Sequence, residues 1–118
     1  MTRAALVALV LVLLPLAGCG GSSPAEYAGM SEYEGSTEVQ QAMVRERQDP
    51  TSPIYRHRVQ LLRVDRGHAR SGAEAWVGTY ADRTAGGRIC VRVVGHPHAF
   101  GTDVDVELDD CAVGSVGA

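Results

Sequence analysis

Two alternating runs in the second half of the chain constrain its fold more than any other feature. Ile89, Val91 and Val93 alternate with Arg88, Cys90 and Arg92. Val104, Val106 and Leu108 alternate with Asp103, Asp105, Glu107 and Asp109. A period of two places successive side chains on opposite faces of a strand. One run is basic on its polar side and the other acidic, so the pair predicts an antiparallel hairpin with apolar residues inward and opposite charges outward. The register that satisfies both patterns pairs Val93 with Val104, Val91 with Val106 and Ile89 with Leu108. It sets Arg92 opposite Asp105 and Arg88 opposite Asp109. A slip of one residue would bury the charges.

The preceding segments fit the same plan. Tyr55 to Val64 reads as a first strand, with Val59 and Leu61 on one face and Leu62 and Val64 on the other. Arg66 to Gly72 reads as a loop and Ala73 to Ala81 as a second strand. Asp82 to Gly87 is a turn, Arg88 to Val94 the third strand, Gly95-His96-Pro97-His98 another turn, and Gly101 to Leu108 the fourth strand. Upstream, Ser36-Thr37 opens a helix, with Thr37 and Gln40 in capping-box spacing and Glu38 near the positive helix end. Its narrow apolar side is Val39, Ala42 and Met43. It stops near Gln48, because the residue before Pro50 is pushed out of the helical region. Tyr27, Met30 and Tyr33 also recur at helical spacing, weakened by Gly29 and Gly35.

Four strands with short links make an antiparallel meander, and one helix is available to cover a face. The expected class is α+β: one short N-terminal helix, then a four-stranded sheet, in a single domain over residues 36–111. In element order alone this resembles cystatin-like folds. No cystatin inhibitory motif is present, so the resemblance implies no function.

The N-terminal residues speak of location. Met1-Thr2-Arg3 carries one positive charge, Ala4 to Leu14 is almost wholly Ala, Leu and Val, and Leu16-Ala17-Gly18-Cys19 follows. The apolar stretch is shorter than the about 20 residues a bilayer span needs. A charged start, a short apolar run and small residues before a cut site make a secretory signal. The Cys at this offset resembles the lipobox of bacterial membrane lipoprotein precursors, over residues 1–19. That resemblance implies a signal peptide over residues 1–18, cleavage before Cys19, and acyl chains such as palmitate on Cys19. It implies a membrane-anchored location on the extracytoplasmic face of the cell envelope. Two or more acyl chains hold a protein stably, where one binds only marginally. Residues 19–35, beginning Cys19-Gly20-Gly21-Ser22-Ser23-Pro24, then read as the lipidated Cys and a flexible tether, and residues 112–118 as a disordered tail.

The remaining thiols, Cys90 and Cys111, are an even pair in an oxidising compartment and default to a disulfide. Closing a loop of about 20 residues contributes about 3 kcal/mol. In the register above, Cys111 lies about four residues past the position facing Cys90, too far for a bond along a straight ladder. Either the chain folds back after Leu108, a bulge shifts the register, or the pairing differs.

All 14 acids follow Cys19, against ten of the 11 arginines and no lysine, a net charge of −4. Net acidity and export argue against a nucleic-acid partner. The absence of lysine excludes Schiff-base and Ser-Lys chemistry. No Gly-x-Ser-x-Gly, His-Glu-x-x-His, Walker loop or dinucleotide fingerprint occurs, so no active site is legible and no cofactor is expected.

Three clusters invite a ligand. Trp76 and Tyr80 share one face of the second strand with Gly78 between them; they form either an aromatic platform for a ligand or core against the helix. His96 and His98 flank Pro97, and His68 lies in another loop; with Asp103 they could hold zinc or copper, or simply form a solvated hairpin tip. Asp103 to Asp109 starts with calcium-loop spacing, but Leu108 stands where the sharp-turn Gly belongs and Gly114 where the Glu belongs. Arg56, Arg58, Arg63, Arg66 and Arg70 could hold an acidic ligand, or balance the chain's own acidic segments. The expected function is a membrane-anchored lipoprotein with a small, non-enzymatic binding domain for an envelope protein or wall component. Alternatives are a small-ligand or metal-binding carrier, or a secreted-enzyme inhibitor.

Overall fold

The computed structural model describes residues 26–111, so the signal segment, Cys19, most of the tether and the 112–118 tail lie outside the described residues. Helix α1 spans Glu32–Gln48. It begins before the predicted start near Ser36, because Ser31 and Glu34 form the capping box. The Ser31 hydroxyl accepts from the Glu34 N–H at 3.2 Å, and Glu34 Oε1 accepts from the Ser31 N–H at 3.0 Å. Glu32 and Glu34 in the first turn and Arg45 and Arg47 in the last suit the helix dipole. Gly35, expected to weaken a helix, sits inside it and is buried. A Cβ there would stand 2.4 Å from the Trp76 ring, so only Gly lets the helix approach the sheet this closely.

The sheet contains β1 (Val59–His68), β2 (Glu74–Asp82), β3 (Arg88–His98) and β4 (Gly101–Asp109). Their order is β1-β2-β3-β4, every pair antiparallel. The α+β class and the meander expected from the sequence are therefore present. Several details differ. β1 starts at Val59, since residues 50–56 form turns. A bulge between Leu61 and Arg63 leaves Leu62 without a register partner. The extra residue restores phase, so Leu61 and Val64 both face the core and Leu62 is exposed, not paired with Val64 on the other face.

The β3–β4 register is two residues from the expected one. Val91 pairs with Leu108, Val93 with Val106 and Cys90 with Asp109. Two residues preserve the facing of every side chain, so the valines still point inward. Arg92 lies opposite Glu107 and reaches diagonally to Asp109, 2.8 Å from Nε to Oδ2. The shift also brings Cys111 back over Cys90. The two are joined, with their Cα atoms 4.9 Å apart, and Cys111 turns through φ 71°.

The hairpin tip is Ala99-Phe100, and His96-Pro97-His98 belongs to β3 rather than to a turn. Gly95 serves a packing need instead. Its N–H donates to the Ala28 carbonyl at 2.7 Å, and a Cβ on it would lie 2.6 Å from Met30 Cγ.

The expected tether through residue 35 is too long. Tyr27 and Met30 pair with each other across a tight turn at Ala28-Gly29, and the Trp76 indole N–H donates to the Tyr27 carbonyl at 2.8 Å. Met30 joins Val39, Ala42, Met43, Ile54, Trp76, Tyr80, Ile89, Val91 and Val93 in the core under α1. Each such fully buried apolar side chain contributes about 1.5–3 kcal/mol. The other face of the central strands is covered too: Ala75, Val77, Thr79, Cys90 and Arg92 are buried. The loop after β1 crosses toward β4, where the Arg70 N–H donates to Glu107 Oε1 at 2.9 Å.

Candidate functional site

The helix packs on β2 and β3, the central strands. β4, at one end of the sheet, is left partly open on its core-side face. Val104 and Leu108 are half-buried and Val106 is 39% exposed. Between α1 and β4 runs a cleft of about 160 Å³, lined by Met30, Tyr33, Glu34, Thr37, Glu38, Thr102 and Val104. Tyr33 stands on its rim, 80% exposed. The floor is apolar, while Glu34 and Glu38 make one wall acidic. The Ser31 backbone N–H, then its hydroxyl, hold the Glu34 carboxyl below the usual carboxylate range, so it stays charged. No sequence motif marks this cleft, because it arises where one helix fails to cover a wider sheet.

The β3–β4 hairpin projects beyond the cleft. On its back face His96 Nε2 lies 2.7 Å from Asp105 Oδ2, and His98 Nε2 lies 3.4 Å from Asp103 Oδ1. All four side chains are exposed, and Phe100 at the tip is almost wholly so. The alternating acids of β4 were visible in the sequence. Their pairing with the two histidines was not, because it depends on the shifted register.

The other candidate residues are placed differently. Trp76 and Tyr80 are 3% and 4% exposed, inside the core, and form no ligand platform. The Trp76 ring meets Tyr27 edge-on with centroids 5.5 Å apart, and burial pushes the Tyr80 phenol up. His68 ends β1, opposite Glu74, on the far side of β2 from the hairpin, so it does not join His96 and His98. Its contribution is a carbonyl that accepts from Arg92 Nη1 at 3.1 Å. The arginines do not converge either. Arg56 stacks on Tyr55, Arg66 lies over Tyr27 and Trp76, and Arg63 pairs with Asp65.

Two buried acids hold the frame of the sheet. Asp82 accepts from the backbone N–H groups of Thr84 and Ala85 at 2.9 and 3.0 Å and lies 2.8 Å from His57 Nδ1. Burial pushes its carboxyl up, but the hydrogen bonds from Ala85, His57 and Thr84 together outweigh this and hold it below its ordinary value. Asp109 balances likewise. Burial raises it, and the hydrogen bonds from Arg92 and the Cys111 N–H, with the charges of Arg92 and Arg70, bring it down. Among the described residues, three potential metal-ligand atoms, two sulfurs and a carboxylate oxygen, converge at Cys90, Asp109 and Cys111. There the sulfurs are bonded to each other and Asp109 holds Arg92, so no ligand is free. Among the described residues no helix is long and apolar enough to cross a membrane.

Comparison with protein-family models, curated proteins and solved structures found no match, and the functional reading of this chain rests on its own residues.

Proposed function

We propose that this chain is an extracytoplasmic lipoprotein, acylated at Cys19, whose folded domain is a non-enzymatic interaction module for an envelope protein. The observation that carries the interaction reading is the acidic-walled apolar cleft beside β4. Exposed Tyr33 stands beside an apolar floor of Met30 and Val104, and Val106, two residues along β4 on the same face, is exposed as well. Aromatic and aliphatic anchors in such settings account for most interface energy. The acidic wall selects a partner segment that places an apolar side chain in the cleft and basic residues against Glu34 and Glu38. Glu26 follows Cys19 by seven positions, a reach of at most about 25 Å, so the partner would lie close to the lipid surface.

The test has two arms. Metabolic labelling with a clickable palmitate reads the anchor; labelling lost in Cys19→Ser is expected, and an unlabelled cytosolic product overturns the lipoprotein reading. A photo-crosslinking residue at position 106, with position 60 on β1 as control, reads the interface. A single adduct from position 106, abolished by Tyr33→Ala, is expected. Equal adducts from both positions, or none from 106, overturn the cleft as the docking surface.

A further inference from the structure

We propose that the outer edge of β4 takes up an extended segment of a partner protein as a fifth strand, one in which apolar residues alternate with arginine or lysine. This rests on the cleft as the docking surface and specifies how that surface is filled.

The two edges of the sheet differ. β1 is interrupted by the bulge at Leu62, and its Gly67 carbonyl already accepts the Tyr27 hydroxyl. A bulge turns an edge away from further pairing. β4 has no such device. It runs beside β3 from Gly101 to Asp109 without a register shift, and it holds no proline. It is the last strand in the order, so among the described residues no strand pairs with its outer edge. Such an edge presents a row of backbone N–H and C=O groups, which an extended peptide can satisfy.

The cleft lies over the same edge. α1 packs on β2 and β3, and its flank from Tyr33 to Glu38 faces Thr102 and Val104. A strand added to β4 would stand about 4.8 Å farther out. Every second side chain would then point to the core-side face, covering Val104 and Val106 and meeting the exposed Tyr33 ring. A segment of about five or six residues, an ordinary strand length, is enough.

The acids decide the occupant. The alternate side chains of the added strand would point to the back face, beside Asp103 and Asp105, which are 82% and 77% exposed. Opposite charges across neighbouring strands are favourable and like charges are not. Two β4 strands from two copies would set acid against acid. A segment with a basic residue at every second position meets these carboxylates, while its apolar residues enter the cleft. Glu34 and Glu38 carry the same preference round to the front. The backbone edge calls for a polypeptide, and the acids around it repel an anionic lipid surface.

The probe is a blocked seven-residue peptide alternating valine and arginine, titrated into the full mature chain and followed by amide hydrogen exchange. Binding should slow exchange about tenfold or more at alternate β4 amides, those turned away from β3, and leave β1 unchanged. Asp105→Arg should weaken binding about tenfold or more, and a valine–glutamate peptide should bind that variant better than the parent chain. Asp105 is exposed, so the variant should fold; Asp103→Arg is the second variant should it not. No binding, binding that leaves β4 unprotected, or equal binding by parent and both arginine variants overturns strand addition. Dimerisation that protects the same amides without peptide assigns the edge to a second copy and overturns it too. A crosslink from position 106 without this protection keeps the cleft and removes the strand, so the two readings fail separately.

Discussion

Asp82 and Asp105 each hold a histidine at nearly one distance, 2.8 and 2.7 Å, and they do opposite work. The Asp82 side chain is 5% exposed and also binds two backbone N–H groups of the β2–β3 turn. His57 there ties the segment after α1 to the end of β2. Asp105 is 77% exposed and has no such second duty. The same pair of side chains is a structural clasp where water is excluded and a solvated surface contact where it is not. Removing a buried partner strands the remaining polar groups, whereas water replaces an exposed one.

Perturbing each member of this contrast should give effects in a definite order. The largest belongs to Asp109, the buried acid that neutralises Arg92 behind the sheet; both side chains are under 10% exposed. Asp109→Ala leaves a buried guanidinium unpaired and should cost about 3–5 kcal/mol, read by urea unfolding. A loss within the range of surface substitutions would mean the pair is not buried in solution. Next is the disulfide. Cys90→Ser with Cys111→Ser should cost about 3 kcal/mol for a loop of this length. A cost near zero would say that the ends stay ordered without it.

Asp82→Ala should cost about 1–3 kcal/mol, because His57, Thr84 and Ala85 lose their acceptor. Acid should reproduce part of this. Asp82 and Asp109 both titrate below their ordinary values in the folded chain. The stability they contribute is therefore fully present above the unfolded carboxyl value of about 3.9 and is lost as pH falls through the lower folded values. Melting temperature should decline steeply below about pH 4, and less steeply in Asp82→Asn. Smallest is Asp105→Ala, expected within about 0.5 kcal/mol of the parent chain, as for most surface sites. A larger loss would put the hairpin pair in the same class as the buried one and erase the contrast.

The two-residue register shift shows what a sequence pattern can and cannot fix. Alternation specifies which face each residue takes, and Val91, Val93, Val106 and Leu108 all face as expected. A shift of two leaves that pattern unchanged, so alternation cannot choose between the registers. Arg92 choosing Asp109, and Cys111 turning back to Cys90, make the choice. The sequence placed the helix start at Ser36-Thr37, because Gly35 and Gly29 read as breakers, whereas the helix begins at Glu32 under a Ser31–Glu34 capping box. Gly95 likewise read as a turn. Gly35 and Gly95 are small because Trp76 and Met30 pass against them, a reason visible only with the partner in place. The cleft has no signal at all in the sequence, since it is a space between elements rather than a run of residues.

By itself the sequence determined a helix followed by a meander, the facing of the valines, and which two cysteines would join. The tertiary structure alone decided the register, the depth at which each charge lies, and the pairing of His96 with Asp105 and of His98 with Asp103. Local periodicity is set by bonds between neighbours in the chain. Burial and juxtaposition are set by residues far apart in it, and those depend on how one helix and four strands share a core too small to cover them all.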